Sequence, residues 1–201
     1  MSEDATDSAI VAALAEPTND QRISDIVALG QEAYDRIVTR IYKCPGVTHP
    51  QEGDDKMCNL LVRIAAVDPS IVTKNMTHPD SLARSRVVSA AMVAGRHEFS
   101  DLIIDRLLDR SIYVLDKVVW AIDRHPRLRT SKAAELLKAL LERKVARRLC
   151  VPIDRINELV AEIEFKNKKA ERADALNHHA CGTFGTSAAE QPLVPKASGG
   201  K

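Results

Sequence analysis

Basic side chains are concentrated in one part of this 201-residue chain, and they are its clearest chemical signal. Residues 120–172 contain 14 basic and 8 acidic residues, whereas residues 1–60 contain 5 basic and 11 acidic residues. A surface rich in lysine and arginine suits an acidic protein or a phosphate backbone. We predict a partner-binding surface from the basic positions and the single tryptophan near them: Trp120, Arg124, Arg127, Arg129, Lys132, Arg143, Lys144, Arg147 and Arg148.

The same charges also have a plainer interpretation. Arg143 and Lys144 stand at the predicted end of a helix, where positive side chains stabilise the helix dipole. Trp120 lies beside the apolar Val119 and near Ile122, so it either packs at the edge of an apolar stripe or is an exposed contact residue. A further alternative is that the acidic first third of the chain docks on its own basic part and neutralises it.

Cysteine and histidine clusters do not match a metal site. A structural zinc site needs four well-held ligands, usually in two pairs. The segment 178–181 contains two histidines and a cysteine, but no second pair stands near it. Cys44, His49 and Cys58 flank an acidic segment at a spacing typical of no metal motif. The sequence therefore predicts no metal ligands.

Catalytic motifs are likewise missing from the sequence. We find no Gly-x-Ser-x-Gly elbow, no glycine-rich phosphate loop and no His-Glu-x-x-His pair. Asp101 and Asp105 are four residues apart on a predicted helix, but Arg106 follows them and no other site feature accompanies them. We interpret them as a solvated face. The prediction is a protein that is not an enzyme and that uses no cofactor.

Two pairs of similar sequence blocks, here called the echo, indicate how the surface is built. Arg86-Val87-Val88-Ser89-Ala90-Ala91 reappears 31 residues later as Lys117-Val118-Val119-Trp120-Ala121-Ile122. Leu107-Leu108-Asp109-Arg110 reappears 33 residues later as Leu140-Leu141-Glu142-Arg143. Matched helical segments at nearly one offset predict a duplicated pair of helices, and units of this size usually stack into a solenoid.

Flanking segments complete the predicted organisation. Residues 1–18 are predicted to be flexible or weakly helical, residues 19–165 to form a helical-repeat domain, and residues 166–201 to be a polar helix end and a disordered tail. Gly30 leaves open one kinked helix or two short ones. The segment 45–55, with two prolines and two glycines, is predicted to be a surface loop.

The two echoed units resemble HEAT-like α-helical repeats. The resemblance covers about residues 78–144 and is carried by the basic residue and small aliphatic block of each first helix. It implies an all-α, short solenoid of antiparallel helix pairs, which the remaining helices flank and cap. Proteins of this class are mostly scaffolds for protein contacts, while a few bind nucleic acid. The resemblance therefore implies binding before catalysis, although fold alone does not set function.

Composition agrees with this class. Aromatic residues are only 3% of the chain, while hydrophobic residues make up 45%, a mixture that favours close helix packing over a β-sandwich. The acidic start does not resemble a secretory signal, and no run approaches the roughly 20 apolar residues of a membrane span. We expect a cytoplasmic protein with reduced cysteines that does not bind membranes.

These observations predict a non-enzymatic interaction or scaffold protein. It would bind a protein partner, of acidic character, through the basic helical-repeat surface. The alternative is a helical-repeat protein that binds nucleic acid, although the basic cluster lacks obvious aromatic residues to stack on bases.

Overall fold

In the computed structural model, residues 3–40 and 50–182 are described, and all of their regular structure is helical. The all-α prediction is therefore confirmed over these residues. The α-helices are α1 (Glu3–Ala15), α2 (Asp20–Leu29), α3 (Gln31–Thr39), α4 (Pro50–Val67), α5 (Ser70–Asn75), α6 (Ser81–Ala94), α7 (Ser100–Asp105), α8 (Ile112–Arg124), α9 (Ser131–Leu141) and α10 (Ile153–Gly182). Short 3-10 turns span His97–Phe99, Arg106–Leu108, Pro126–Leu128 and Lys144–Arg148.

The chain divides into two compact units, with the boundary between Glu164 and Phe165. One apolar core runs through the first unit and includes α1, whose Ile10, Ala13 and Leu14 are fully buried. Residues 1–18 were predicted to lie outside the repeat domain, as a flexible or weakly helical segment. Helix α10 continues to Gly182, within the segment 166–201 that was predicted to be a polar helix end and a disordered tail.

Two helix boundaries have a local cause in the backbone. Gly30 has a φ of 64° and separates α2 from α3, so the chain forms two short helices there. Helix α4 begins at Pro50, inside the segment predicted as a loop. Proline is favoured in the first helical turn because its missing N–H has no partner to lose there.

Helix α6 is packed on several sides. It contacts α4 and α8, and also α3, α5 and α7. Small residues permit this close approach, since Ala83, Ser85, Ala90 and Ala91 are all buried. The first echoed block lies on α6 and the second on α8. The predicted duplication therefore places its two first helices in direct contact.

Paired contacts align the starts of α6 and α8. The Arg84 guanidinium donates two hydrogen bonds to the Asp109 carboxylate, at 2.7 and 2.9 Å. Asp109 also accepts the backbone N–H of Ser111, at 2.9 Å, directly before α8. Burial alone would raise the pKa of Asp109, but these hydrogen bonds and the charges of Arg84 and Arg106 hold the pKa below its ordinary value.

The ends of α6 and α8 are also held together. Arg127, just beyond α8, donates hydrogen bonds to the carbonyl of Met92, at 3.0 Å, and to the carbonyl of Gly95. Gly95 ends α6 with a φ of 71°, and a Cβ atom there would lie 3.2 Å from the Arg127 guanidinium. Because starts and ends both coincide, α6 and α8 run in the same direction, side by side.

Arg96 repeats this arrangement one helix earlier. Its guanidinium donates to the carbonyls of Ala65 and Ala66, at 3.2 and 3.4 Å, near the end of α4. Arg96 and Arg127 are 31 residues apart, which is the offset of the first sequence echo. At this offset, Arg96 after α6 donates to carbonyls at the end of α4, and Arg127 after α8 donates to carbonyls at the end of α6. The last four carbonyls of a helix lack helical partners, so both arginines satisfy such groups.

Substitution of Asp109 tests the contact at the helix starts. Because the pKa of Asp109 is lowered by folding, its charge stabilises the protein above about pH 4, and this contribution is lost as the pH falls further. We expect Asp109→Asn to lower the free energy of unfolding by about 2 kcal/mol at pH 7. Urea unfolding followed by circular dichroism at pH 7 and pH 3 measures the effect. Glu135→Gln is the exposed control, and equal losses in both variants would contradict this role.

Candidate functional site

The predicted basic surface separates into two groups, and the first is engaged inside the fold. Arg143 donates to the carbonyls of Leu107 and Asp109, at 2.9 and 2.6 Å. Lys132 pairs with Asp105 at 2.6 Å. Arg127, described above, belongs to the same group, since its guanidinium lies on the end of α6. These cations satisfy carbonyls and carboxylates of their own chain.

Arg129 joins three helical segments. Its guanidinium donates to the carbonyls of Ile122 and Asp123, at 3.2 and 2.6 Å, at the end of α8. It also pairs with Glu162 of α10 at 2.9 Å. Arg155 on α10 adds a contact of 2.6 Å to the Asp123 carboxylate. The start of α10 is thereby fixed beside the end of α8.

The second group consists of exposed cations. Arg124, Lys144, Arg147 and Arg148 are all exposed. Within the part of the chain that the structure describes, none of these four forms an ion pair. Their charges are therefore available for a ligand, whereas the charges of Arg127, Arg129 and Arg143 are largely committed.

Helix α8 presents a narrow outward face, here called the α8 face, with alternating aromatic and basic side chains. Tyr113 is 70% exposed and Trp120 is 42% exposed. Lys117 and Arg124 lie between and beyond them, and both are exposed. The Arg124 guanidinium carbon lies 5.7 Å from the centre of the Trp120 ring, a cation–π contact. The four residues share one side of the helix because their spacings are four, three and four.

Sequence reasoning identified Trp120 and Arg124 on this face but missed Tyr113 and Lys117. Their signal was present, since they repeat at helical spacing on the side opposite the apolar stripe. That stripe is buried as predicted and comprises Val114, Leu115, Val118, Val119 and Ile122. The prediction rested on dense runs of basic residues, whereas Lys117 and Arg124 on this face are seven residues apart.

The turn Lys144–Arg148, here called the basic turn, lies against the first half of α8. At its start, Arg143 is bonded to carbonyls just before α8. Two residues beyond its end, the backbone N–H of Cys150 donates to the Asp116 carboxylate at 2.7 Å. These two contacts tether both ends of the basic turn, which carries Arg147 and Arg148, near the half of α8 that carries Tyr113. The α8 face and the basic turn together form the candidate site.

The described acidic side chains near the chain start form contacts among the first four α-helices. Asp7 on α1 pairs with Arg36 at 3.2 Å and with Arg40 at 2.7 Å. Asp20 on α2 pairs with Arg63 of α4. In residues 5–40, whose side chains are described, the acidic side chains contact residues of α1–α4, Arg40 directly after α3, and the turn between α1 and α2. The alternative in which this segment neutralises the basic surface finds no support in these contacts.

The described residues offer no obvious chemistry at the site. Among them there is no group of three or more histidine, cysteine or acidic side chains placed to hold a metal ion. Cys44 and His49 lie outside the described residues, as do the side chains of 178–181. The Cys150 thiol is exposed, but its hydrogen bond to Asp116 raises its pKa, and a protonated thiol is a poor nucleophile. The described helices also include none with the length and apolar character of a bilayer span.

Comparison of the chain with protein-family models, curated proteins and solved structures finds no match. The function is therefore argued from the geometry of the site.

Paired substitutions test the division of the arginines into two groups. We expect Arg127→Ala to lower the free energy of unfolding by about 1–2 kcal/mol, because the carbonyls of Met92 and Gly95 lose a charged donor. Arg147→Ala should change it by less than about 0.5 kcal/mol, since the side chain is exposed. Urea unfolding of both variants provides the comparison. A larger loss for Arg147→Ala would reverse the assignment.

Proposed function

We propose that the first unit is a short HEAT-like array of antiparallel helix pairs, with α1 and α10 at its ends. Contacts between α2 and α4, α4 and α6, and α6 and α8 support one row of helices. Contacts between α3 and α5 and between α7 and α9 support a second row. The arginine contacts that recur at the ends of α4 and α6 support a repeating unit of about 31 residues.

We infer that the protein is a non-enzymatic interaction protein that binds an acidic protein partner through the α8 face and the basic turn. One observation carries this proposal: two exposed aromatic rings share a helix face with cations that have no ion-pair partner among the described residues. Tryptophan, tyrosine and arginine are the residues most often responsible for affinity at protein interfaces. Nearby lysines and arginines would steer an acidic partner toward them.

The alternative, nucleic acid, gains some support from the exposed rings, because Tyr113 and Trp120 are able to stack on bases. Two features favour protein. Arg124 already lies over one side of the Trp120 ring. Arg155 fixes α10 beside α8, and α10 carries the exposed acid Asp154. This carboxylate would repel a phosphate backbone that extended past the α8 face.

Charge reversal tests the proposed surface. We expect the combined variant Lys117→Glu, Arg124→Glu, Arg147→Glu and Arg148→Glu to lose partner capture while it keeps the helical circular dichroism of the wild type. The physical reason is that four attractive contacts become repulsive. Pull-down profiles of the two proteins, compared by mass spectrometry, measure the effect. Lys168→Glu with Lys169→Glu is the control, since these exposed lysines belong to the second unit and are not part of the proposed surface. Unchanged profiles for the four-site variant would contradict the proposal.

Gel-shift experiments separate the nucleic-acid alternative. A protein that neutralises phosphates binds more weakly as salt is added, because condensed counterions are released on binding. We expect no shift of single- or double-stranded oligonucleotides at low salt. A shift that falls steeply with salt and disappears in the four-site variant would instead assign the same surface to nucleic acid.

A further inference from the structure

We propose that the α8 face binds an acidic amphipathic helix that lies along α8. This inference rests on the proposed function and adds the form of the partner segment. The face has a seven-residue repeat: Tyr113 and Trp120 are seven residues apart, and so are Lys117 and Arg124. Seven residues span two helical turns and about 10 Å, the repeat with which two helices pack along their length.

The spacing of the anchors favours a helix over an extended segment. In an extended chain, side chains on one face recur about every 7 Å, and neighbouring residues point to opposite faces. The two aromatic rings begin about 10 Å apart along α8, which three extended residues would span. An extended segment would then present its first and fourth side chains to opposite sides. A helix presents the first and eighth to the same side.

The charges specify what the partner helix carries. Apolar side chains at seven-residue spacing would cover Tyr113 and Trp120, whose exposed fractions of 70% and 42% leave area to bury. Carboxylates displaced by about one turn would then meet Lys117 and Arg124. The stack of Arg124 on Trp120 holds the guanidinium in place and leaves its N–H groups able to donate. The basic turn adds Arg147 and Arg148 at the Tyr113 end of the face.

Trp120 provides the measurement, because it is the only tryptophan in the chain. A ligand without tryptophan that covers the ring should shift the fluorescence emission to shorter wavelength as water is excluded. The probe is a synthetic 21-residue peptide with leucine and glutamate each repeated every seven residues in a helix-forming background. The matched ligand has the same composition in a scrambled order that destroys the repeat. A 20-nucleotide single-stranded DNA is the third ligand.

We expect the repeat peptide to shift the Trp120 emission and to bind at least tenfold more tightly than the scrambled peptide. Equal binding of the two peptides would overturn the helical inference and leave the acidic-partner proposal standing. A response to DNA alone would overturn both proposals. If none of the three ligands changes the Trp120 emission, the helical inference is overturned, while the pull-down comparison would still decide the proposed function.

Variants locate the binding on α8. Tyr113→Ala and, separately, Lys117→Glu should each weaken the repeat peptide at least fivefold and keep the Trp120 signal. The controls are Phe165→Ala, which removes a 73% exposed ring of the second unit, and Lys168→Glu of the same unit. Equal weakening by the controls would overturn the assignment to the α8 face. Sedimentation of the protein alone tests a second copy as the occupant. A dimer that Lys117→Glu dissociates would overturn the inference.

Discussion

The close packing of α6 is the constraint on which the first unit depends. A helix with neighbours on several sides has little room for large side chains, and α6 meets this condition with alanine and serine at its tightest positions. Polar contacts then fix its ends: Arg84 binds Asp109 at the start, and Arg127 binds the carbonyls near Gly95 at the end. Once α6 is placed, the position and direction of α8 follow.

This constraint explains why so many arginines serve the fold. Parallel neighbours bring the ends of successive helices together, and each end exposes carbonyls without helical partners. Arg96 and Arg127 satisfy those carbonyls with a long side chain that also covers apolar surface. Positive charge near a helix end is further stabilised by the helix dipole. Many cations in the second half of the chain are thus bonded within the fold, and a smaller group is exposed.

The helical class could be predicted from the sequence because it depends on local periodicity. The echoed blocks at Arg86 and Lys117 lie on two neighbouring helices of like direction, as a duplication requires. Whether a given arginine is bonded within the fold or exposed could not be predicted in the same way. The sequence shows that both Arg127 and Arg147 are positively charged, but it does not show which side chain lies near a backbone carbonyl. In the structure, Arg127 donates to such a carbonyl and Arg147 is exposed. One clue was available: Arg96 and Arg127 are 31 residues apart, which is the offset of the first sequence echo.

The contrast between the two echoed helices then has a physical meaning. On α6, the positions that correspond to Tyr113, Lys117 and Trp120 hold Leu82, Arg86 and Ser89, and Arg86 donates to the carbonyls of Val38 and Arg40. The cation of the first unit is therefore bonded to the end of α3. On α8, no described residue forms an ion pair or hydrogen bond with the side chain of Lys117, and a tryptophan replaces the serine. At equivalent positions the two helices therefore differ: the cation of α6 is bonded to the end of α3, whereas α8 presents exposed aromatic and basic side chains.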